Sequence, residues 1–327
     1  MRRCFVCLAD TLAPTRRHIV YADGRQRVFP IVCASCGVVF EEEADHGTCR
    51  THLVQALAGP TFNLAPEAPY GLDVYTLRTA ATALGRGIRT LCEADRAALL
   101  RPHSERAGRG EVYDLASARP GKVSLGLLCR PGDLDAVLGG LAGHAAWTSD
   151  VAILVDAPGR PPAPASIAGF PAGAVRIAAR PLGGDFAAQR NALQDLARSP
   201  WMLQLDADED LPPTVADLLP ALVDLAEDGE ILSIGLPRHN RVDGVLSDVH
   251  PDVQYRLARA GLRYRGRVHE RPDLGGDWRR SFIALHGAIE HRLSRAHVAA
   301  RSRRYEAMDP GRGRPEEEEA LLRPYRP

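Results

Sequence analysis

The sequence predicts an α/β protein: a mainly parallel mixed sheet with helices on both faces, preceded by a small zinc ribbon and a helical connector. Three observations predict it. From Lys122 onward, apolar strand-like runs alternate with helical patterns over short connections, as strands joined by covering helices must. Two C-x-x-C pairs stand at the amino-terminal end. Between them and Lys122 the apolar spacing is helical, in pieces broken by Gly-Pro, Ala-Pro and Arg-Pro.

The 327 residues give a division into 1–45 (ribbon), 46–118 (connector), 119–308 (catalytic-type α/β domain) and 309–327 (flexible tail). Apolar residues at 45% and charged residues at 25% are the balance of a globular chain, not a disordered one. Forty-one basic residues against forty-one acidic ones leave no net charge, so no basic field draws the chain to nucleic acid or anionic lipid. No apolar run reaches the ~18–20 residues of a membrane span, so the expectation is a cytoplasmic protein with at most peripheral membrane contact.

Cys4-Phe-Val-Cys7 and Cys33-Ala-Ser-Cys36 can each put two thiolates on a tight turn, the bite that tetrahedral zinc needs. Gly37 follows the second pair, where a knuckle needs a residue free of Cβ restrictions. His18–Tyr21 and Arg27–Val32 read as strands around the turn Ala22-Asp23-Gly24. Cys4, Cys7, Cys33 and Cys36 are therefore expected to hold structural Zn²⁺. His46, Cys49 and His52 decorate a helix start, and Cys92 and Cys129 read as core thiols. Helical patterning is clearest over 74–91 and 92–100, and Glu41-Glu42-Glu43 marks the exit from the ribbon.

In the second half the expected strands are 123–128, 151–155, 175–178, 201–205, 231–236, 254–258 and 282–286, with helices over 134–142, 186–197 and 215–225. Residues 309–327 read as solvated around the run Glu316–Glu319. Trp201-Met-Leu-Gln-Leu205 is nearly all apolar, as a central buried strand is, and it ends in Asp206-Ala-Asp208-Glu209-Asp210. Ligands collect beyond the carboxyl ends of such strands. Four acids there raise one another's pKa unless a partner neutralises them, and a hard divalent cation, Mg²⁺ or Mn²⁺, does so. Asp206 and Asp208, at i and i+2 in extended chain, point the same way.

Gly183-Gly-Asp-Phe-Ala-Ala-Gln-Arg190-Asn191-Ala, followed by Trp201–Glu209, resembles the family 2 glycosyltransferases of GT-A fold, in which an Arg-Asn helix precedes a strand ending in D-x-D. The resemblance continues through Asp252-Val-Gln-Tyr-Arg256-Leu, Tyr264-Arg-Gly-Arg-Val-His269-Glu270 and His286-Gly287. It spans about 120–308. It implies a metal-dependent, inverting transfer of a sugar from a nucleotide-diphosphate sugar to an unidentified acceptor. It implies Asp156, Arg190, Asp206 and His269 as nucleotide-sugar contacts, and Asp206, Asp208 and His286 as Mg²⁺/Mn²⁺ ligands. Glu270 is the implied base, with Glu209 and Asp210 as rivals, and Asp208 the implied catalytic acid-site residue that binds the metal. Asp156 runs into Ala157-Pro158-Gly159 where the family has Gly-Ser-x-Asp, and the first strand ends Cys129-Arg130-Pro131 where the family has Asn-Glu. Those departures carry the alternative: a zinc-ribbon interaction protein whose GT-A domain binds a nucleotide sugar without catalysis.

Overall fold

The computed structural model describes residues 3–159, 166–227 and 230–326. The chain divides into two compact units, Met1–Ser117 and Ala118–Pro327.

In the first unit the expected hairpin forms, with His18–Val20 antiparallel to Gln26–Val28. Ile31–Cys33 leaves it for a second sheet with Leu12–Pro14, Val39–Phe40 and Tyr70–Gly71. The expected connector is not only helical. Helices His46–Leu57, Val74–Ala83 and Glu93–Leu99 alternate with strands Thr61–Asn63, Arg86–Arg89 and Arg109–Asp114, which pair as a three-stranded sheet. Asp45 and Asp73 cap the first two helices by accepting from Thr48 N and Thr76 N. Cys4, Phe29, Phe40, Leu53, Tyr70 and Leu77 share one buried cluster, so the expected boundary at residue 45 falls inside a common core. A segment of about 45 residues rarely closes a core alone, and here Leu53, Leu57, Phe62, Tyr70 and Leu77 supply part of it.

In the second unit, Val175–Ala179, Val151–Val155, Val123–Cys129 and Trp201–Asp206 run parallel as neighbours. Asp252–Arg259 joins antiparallel to Trp201–Asp206, and Ser233–Val242 joins antiparallel to it in turn. Ile289–Leu293 lies parallel to Ser233–Val242, and Glu209–Asp210 pairs with its far side. The helix Phe186–Gln194 packs on the parallel strands through Leu193; a Cβ on Gly126 would meet Met202 Sδ at 2.8 Å and Leu193 at 3.0 Å. Asp185 starts that helix by accepting from Ala188 N at 2.8 Å.

Two expectations fail here. The strand expected over 282–286 ends at Ile283, and a further strand, Ile289–Leu293, follows it. The expected flexible tail instead carries the helix Pro315–Leu322, with Leu321 buried against Val242, Leu293 and Val298. Pro315 at the first helical position and Glu316, Glu317 and Glu318 in the first turn suit a helix start. Arg301 and Arg314 pair with Glu317 at 3.2 and 3.0 Å. Among the described residues no helix is long and apolar enough to cross a membrane.

Candidate functional site

The ligand atoms of Cys4, Cys7, Cys33 and Cys36 all lie within 4.8 Å of one another. Cys4 Sγ to Cys36 Sγ and Cys7 Sγ to Cys33 Sγ are each 3.6 Å. A disulfide would need ~2.05 Å, whereas a ZnS₄ tetrahedron with arms of ~2.3 Å has edges of about 3.8 Å. The cluster fits a zinc ion. Val6 N donates to Cys4 Sγ at 3.4 Å, and Leu8 and Gly37, each just after a C-x-x-C pair, turn at φ +63° and +86°. His46 and His52 are engaged elsewhere, with the Arg3 carbonyl and the Tyr70 hydroxyl, and Cys49 is core. Among the described residues these four thiols are the only group of three or more potential ligand atoms gathered so closely.

The second unit holds a cleft of about 670 Å³ at the carboxyl edge of its parallel strands. Arg130 and Asp156 enter it directly after strands Val123–Cys129 and Val151–Val155, and Asp206 ends Trp201–Asp206. Because Asp252–Arg259 runs the opposite way, its early residues meet that edge, and alternation puts Asp252, Gln254 and Arg256 on one face.

Asp206 is held by arginines. Arg190, 2% exposed, donates from Nη2 to both Asp206 oxygens at 3.0 Å, and Arg256 Nη2 donates to Oδ2 at 2.9 Å. Burial pushes the Asp206 pKa up, but the two guanidiniums outweigh it and hold the carboxyl far below its usual range. Arg190 Nε also reaches Glu270. Burial again opposes and Arg190 and Arg256 prevail, so the Glu270 pKa is lowered. Glu209, its side chain buried, accepts from Arg238 Nη1 at 2.8 Å and from Arg256 Nη2 at 3.4 Å. One arm of Arg256, Nη1, is buried without a hydrogen-bond partner among the described residues. The like-charge problem at 206–210 is thus met largely by arginines from neighbouring elements, which the strand's own sequence does not reveal.

Asp208 differs: its partners are imidazoles. His291 Nε2 lies 3.4 Å and His297 Nε2 4.0 Å from Asp208 Oδ2. Burial raises and His291 lowers the Asp208 pKa, which ends below its usual value. His291 and His297 line the cleft; His286 is buried and does not, because it follows the short strand Ser281–Ile283. The histidines beside the acidic strand end are therefore His291 and His297. A sequence signal existed: in Ile289-Glu-His-Arg-Leu293 positions 289, 291 and 293 alternate inward.

The remaining expected residues also reach the cleft. Asp156 lines it while its Oδ1 accepts from Leu182 N at 2.8 Å. His269, at φ +53°, lines it while its Nε2 meets the Arg312 carbonyl at 2.9 Å and its ring packs edge-on against Tyr305. Of the three base candidates, Glu270 lines the cleft and Glu209 and Asp210 do not. Asn191, beside Arg190, donates to the Tyr264 carbonyl at 3.0 Å and accepts from Tyr264 N at 2.7 Å. The Arg-Asn pair therefore has two tasks: Arg190 faces the carboxylates, and Asn191 anchors the segment that leads to Glu270.

No protein-family model matches the sequence, and no curated protein does. Among solved structures, residues 1–349 of S. aureus TarS align over 62% of this chain and 69% of that one, at 9% identity and a TM-score of 0.33. The same segment in complex with UDP aligns over the same shares at 8% identity and 0.33. Longer S. aureus TarS aligns over 62% of this chain and 42% of its own, at 10% identity and 0.32. Likeness at this level carries no functional weight.

Proposed function

We propose that the second unit is a GT-A domain of the family 2 type. It transfers a glycosyl group from a nucleotide-diphosphate sugar to an acceptor by cation-dependent inverting displacement, while Cys4, Cys7, Cys33 and Cys36 hold a structural zinc in the first unit. The observation that carries the reading is the convergence of Asp156, Arg190, Asp206, Asp208 and Glu270 on one cleft at the carboxyl edge of the parallel strands. A volume of about 670 Å³ lies within the ~300–1,000 Å³ range of small-molecule sites.

Asp208 and His291 are the residues that would hold Mg²⁺ or Mn²⁺, which when bound would offset charge on the departing diphosphate. Asp206, already shared by two arginines, orients Arg190 and Arg256. The unpaired arm of Arg256 is a donor available to a phosphate oxygen. Asp156 and His269 contact the donor. Transfer then needs one proton removed. The acceptor O–H or N–H attacks the anomeric carbon, its proton passes to Glu270, and the bond from that carbon to the phosphate oxygen breaks. Lowering of the Glu270 pKa keeps it in its base form, at some cost in basicity.

The ion pair of Glu270 with Arg190 supports a second reading, in which the cleft binds a nucleotide sugar without turning it over. One experiment separates them. The zinc-loaded protein is incubated with Mn²⁺ and a panel of nucleotide sugars, and hydrolysis and transfer are followed. Turnover abolished by Asp208→Ala and reduced at least ~100-fold by Glu270→Gln supports transfer. Binding without turnover, unaltered by Glu270→Gln, supports the second reading.

A further inference from the structure

We infer that Asn240 is a positioning residue: it fixes the tautomer of His291 so that the bare Nε2 faces Asp208 and the pair takes a nitrogen-seeking divalent ion of the Mn²⁺ class in preference to Mg²⁺. The inference rests on the cation reading above and adds to it who prepares the imidazole and which ion that favours.

Asn240 is fully buried on Ser233–Val242, in register with His291 on the neighbouring parallel strand. Its Nδ2 donates to Asp252 Oδ2 at 2.8 Å. Asp252 also accepts from Arg238 Nε and Nη2 at 2.9 and 2.7 Å and from Gln254 Nε2 at 2.6 Å. A carboxylate so engaged is an acceptor only, so the nitrogen end of the Asn240 amide must face it. The oxygen end, Oδ1, then faces His291 Nδ1 at 2.7 Å. An amide oxygen cannot donate, so Nδ1 carries the hydrogen. In the neutral ring the lone pair is left on Nε2, and Nε2 faces Asp208 Oδ2 at 3.4 Å.

Two lone pairs aimed at each other at that distance repel, so the gap takes either a proton on Nε2 or a metal ion, and a bound metal ion displaces that proton while Nδ1 keeps its hydrogen toward Asn240. His297 Nε2 lies 4.0 Å from the same oxygen, on the rim of the pair. A carboxylate with an imidazole nitrogen suits first-row transition ions, whereas Mg²⁺ prefers oxygen and water. Groups that orient a ligating histidine through its other nitrogen commonly change metal affinity by ~10–100-fold when removed. Asn240 has that place, and the Arg238–Asp252 pair holds Asn240 in turn.

The test uses the full chain with its zinc loaded. Mn²⁺ and Mg²⁺ are titrated into wild type, Asn240→Leu and His291→Gln by calorimetry and, for Mn²⁺, by loss of the free-ion EPR signal. Metal-free wild type is read by ¹⁵N–¹H correlation of its histidine side chains. The expected results are one Mn²⁺ bound more tightly than Mg²⁺ and a ~10–100-fold loss of Mn²⁺ affinity in Asn240→Leu. His291→Gln should lose at least as much, and His291 should carry its hydrogen on Nδ1 in wild type. Should Asn240→Leu not fold, the wild-type spectrum and His291→Gln decide: a hydrogen on Nε2 with bare Nδ1, or unchanged Mn²⁺ affinity in His291→Gln, overturns the inference. If wild type binds Mn²⁺ yet both variants bind it equally, the inference fails and the cation reading stands. If wild type binds no divalent ion in this unit, the cation reading fails with it.

Discussion

Arg190 grips Asp206 end-on, one guanidinium nitrogen donating to both carboxylate oxygens at 3.0 Å, from a helix whose inner face is otherwise apolar or amide. Nearby, its Nε holds Glu270, eighty residues further along the chain. A single side chain thus ties the end of the central strand to the segment that carries the proposed base.

Removing it leaves Glu270, 12% exposed, without its cation, and Asp206, 31% exposed, with Arg256 alone. Arg190→Ala should lower unfolding free energy by about 3–5 kcal/mol, the usual cost of taking one partner from a buried pair. Arg190→Lys should recover only part of this, since an ammonium lacks the planar fork. The triple variant that combines Arg190→Met, Asp206→Asn and Glu270→Gln removes all three charges together and should cost less than Arg190→Ala alone. Urea unfolding followed by tryptophan fluorescence checks all three proteins, and a loss below ~1 kcal/mol for Arg190→Ala would show the carboxylates relaxing into water.

The arginines also mark where sequence reasoning reached and where it stopped. The parallel strands were legible because each is a short apolar run, and the C-x-x-C pairs because zinc imposes its spacing. The acids at 206–210 were legible as a cluster, but their partners lie on Phe186–Gln194, Ser233–Val242 and Asp252–Arg259, and no local pattern says which arginine turns inward. His291 was hidden for a related reason: Glu290 and Arg292 make its strand look polar, although the inward positions alternate correctly. The tail misled through Glu316–Glu319, which stand at a helix start and favour it.

The knuckles supply a second expectation. Leu8 and Gly37 hold equivalent places after their cysteine pairs, both at positive φ, and Leu8 is 58% exposed. Left-handed backbone costs a residue with a Cβ about 1 kcal/mol, and so little burial is lost on truncation that Leu8→Gly should stabilise the zinc-loaded protein by about 0.5–1 kcal/mol. Thermal unfolding at fixed zinc reads the sign. A lower midpoint would mean that the leucine side chain contributes packing that outweighs its backbone strain.

Zinc removal should act on the first unit through its shared core. Phe5 and Val6 lie between Cys4 and Cys7 and are buried, so knuckles that open on chelation must expose them. Metal analysis should find one zinc per chain. Chelation, or Cys33→Ser, should release it, open the thiols of the ribbon to a sulfhydryl reagent and bring Cys49 out with them. Protein purified without chelator that carries no zinc, yet keeps those thiols protected, would contradict the assignment.

Acid should reveal the Asp252 network. Burial alone would push this carboxyl up, but Arg238 and the Asn240 and Gln254 amides outweigh it and bring its pKa down to about 2. A folded pKa below the unfolded value of ~3.9 means that the stabilisation is fully present above pH ~4 and is lost as pH falls towards 2. The fall of nearly two units corresponds to about 2.5 kcal/mol in full, of which about 2 is lost by pH 2. Asp252→Asn cannot take part in this titration. The stability gap between wild type and Asp252→Asn should therefore be widest near neutrality and shrink by about 2 kcal/mol between pH 5 and 2, read by urea unfolding at each pH. Other carboxylates titrate in both proteins and cancel in the difference. A gap that stays constant across that range would place the Asp252 pKa at its ordinary value and show that Arg238 and the two amides do not favour its ionised form.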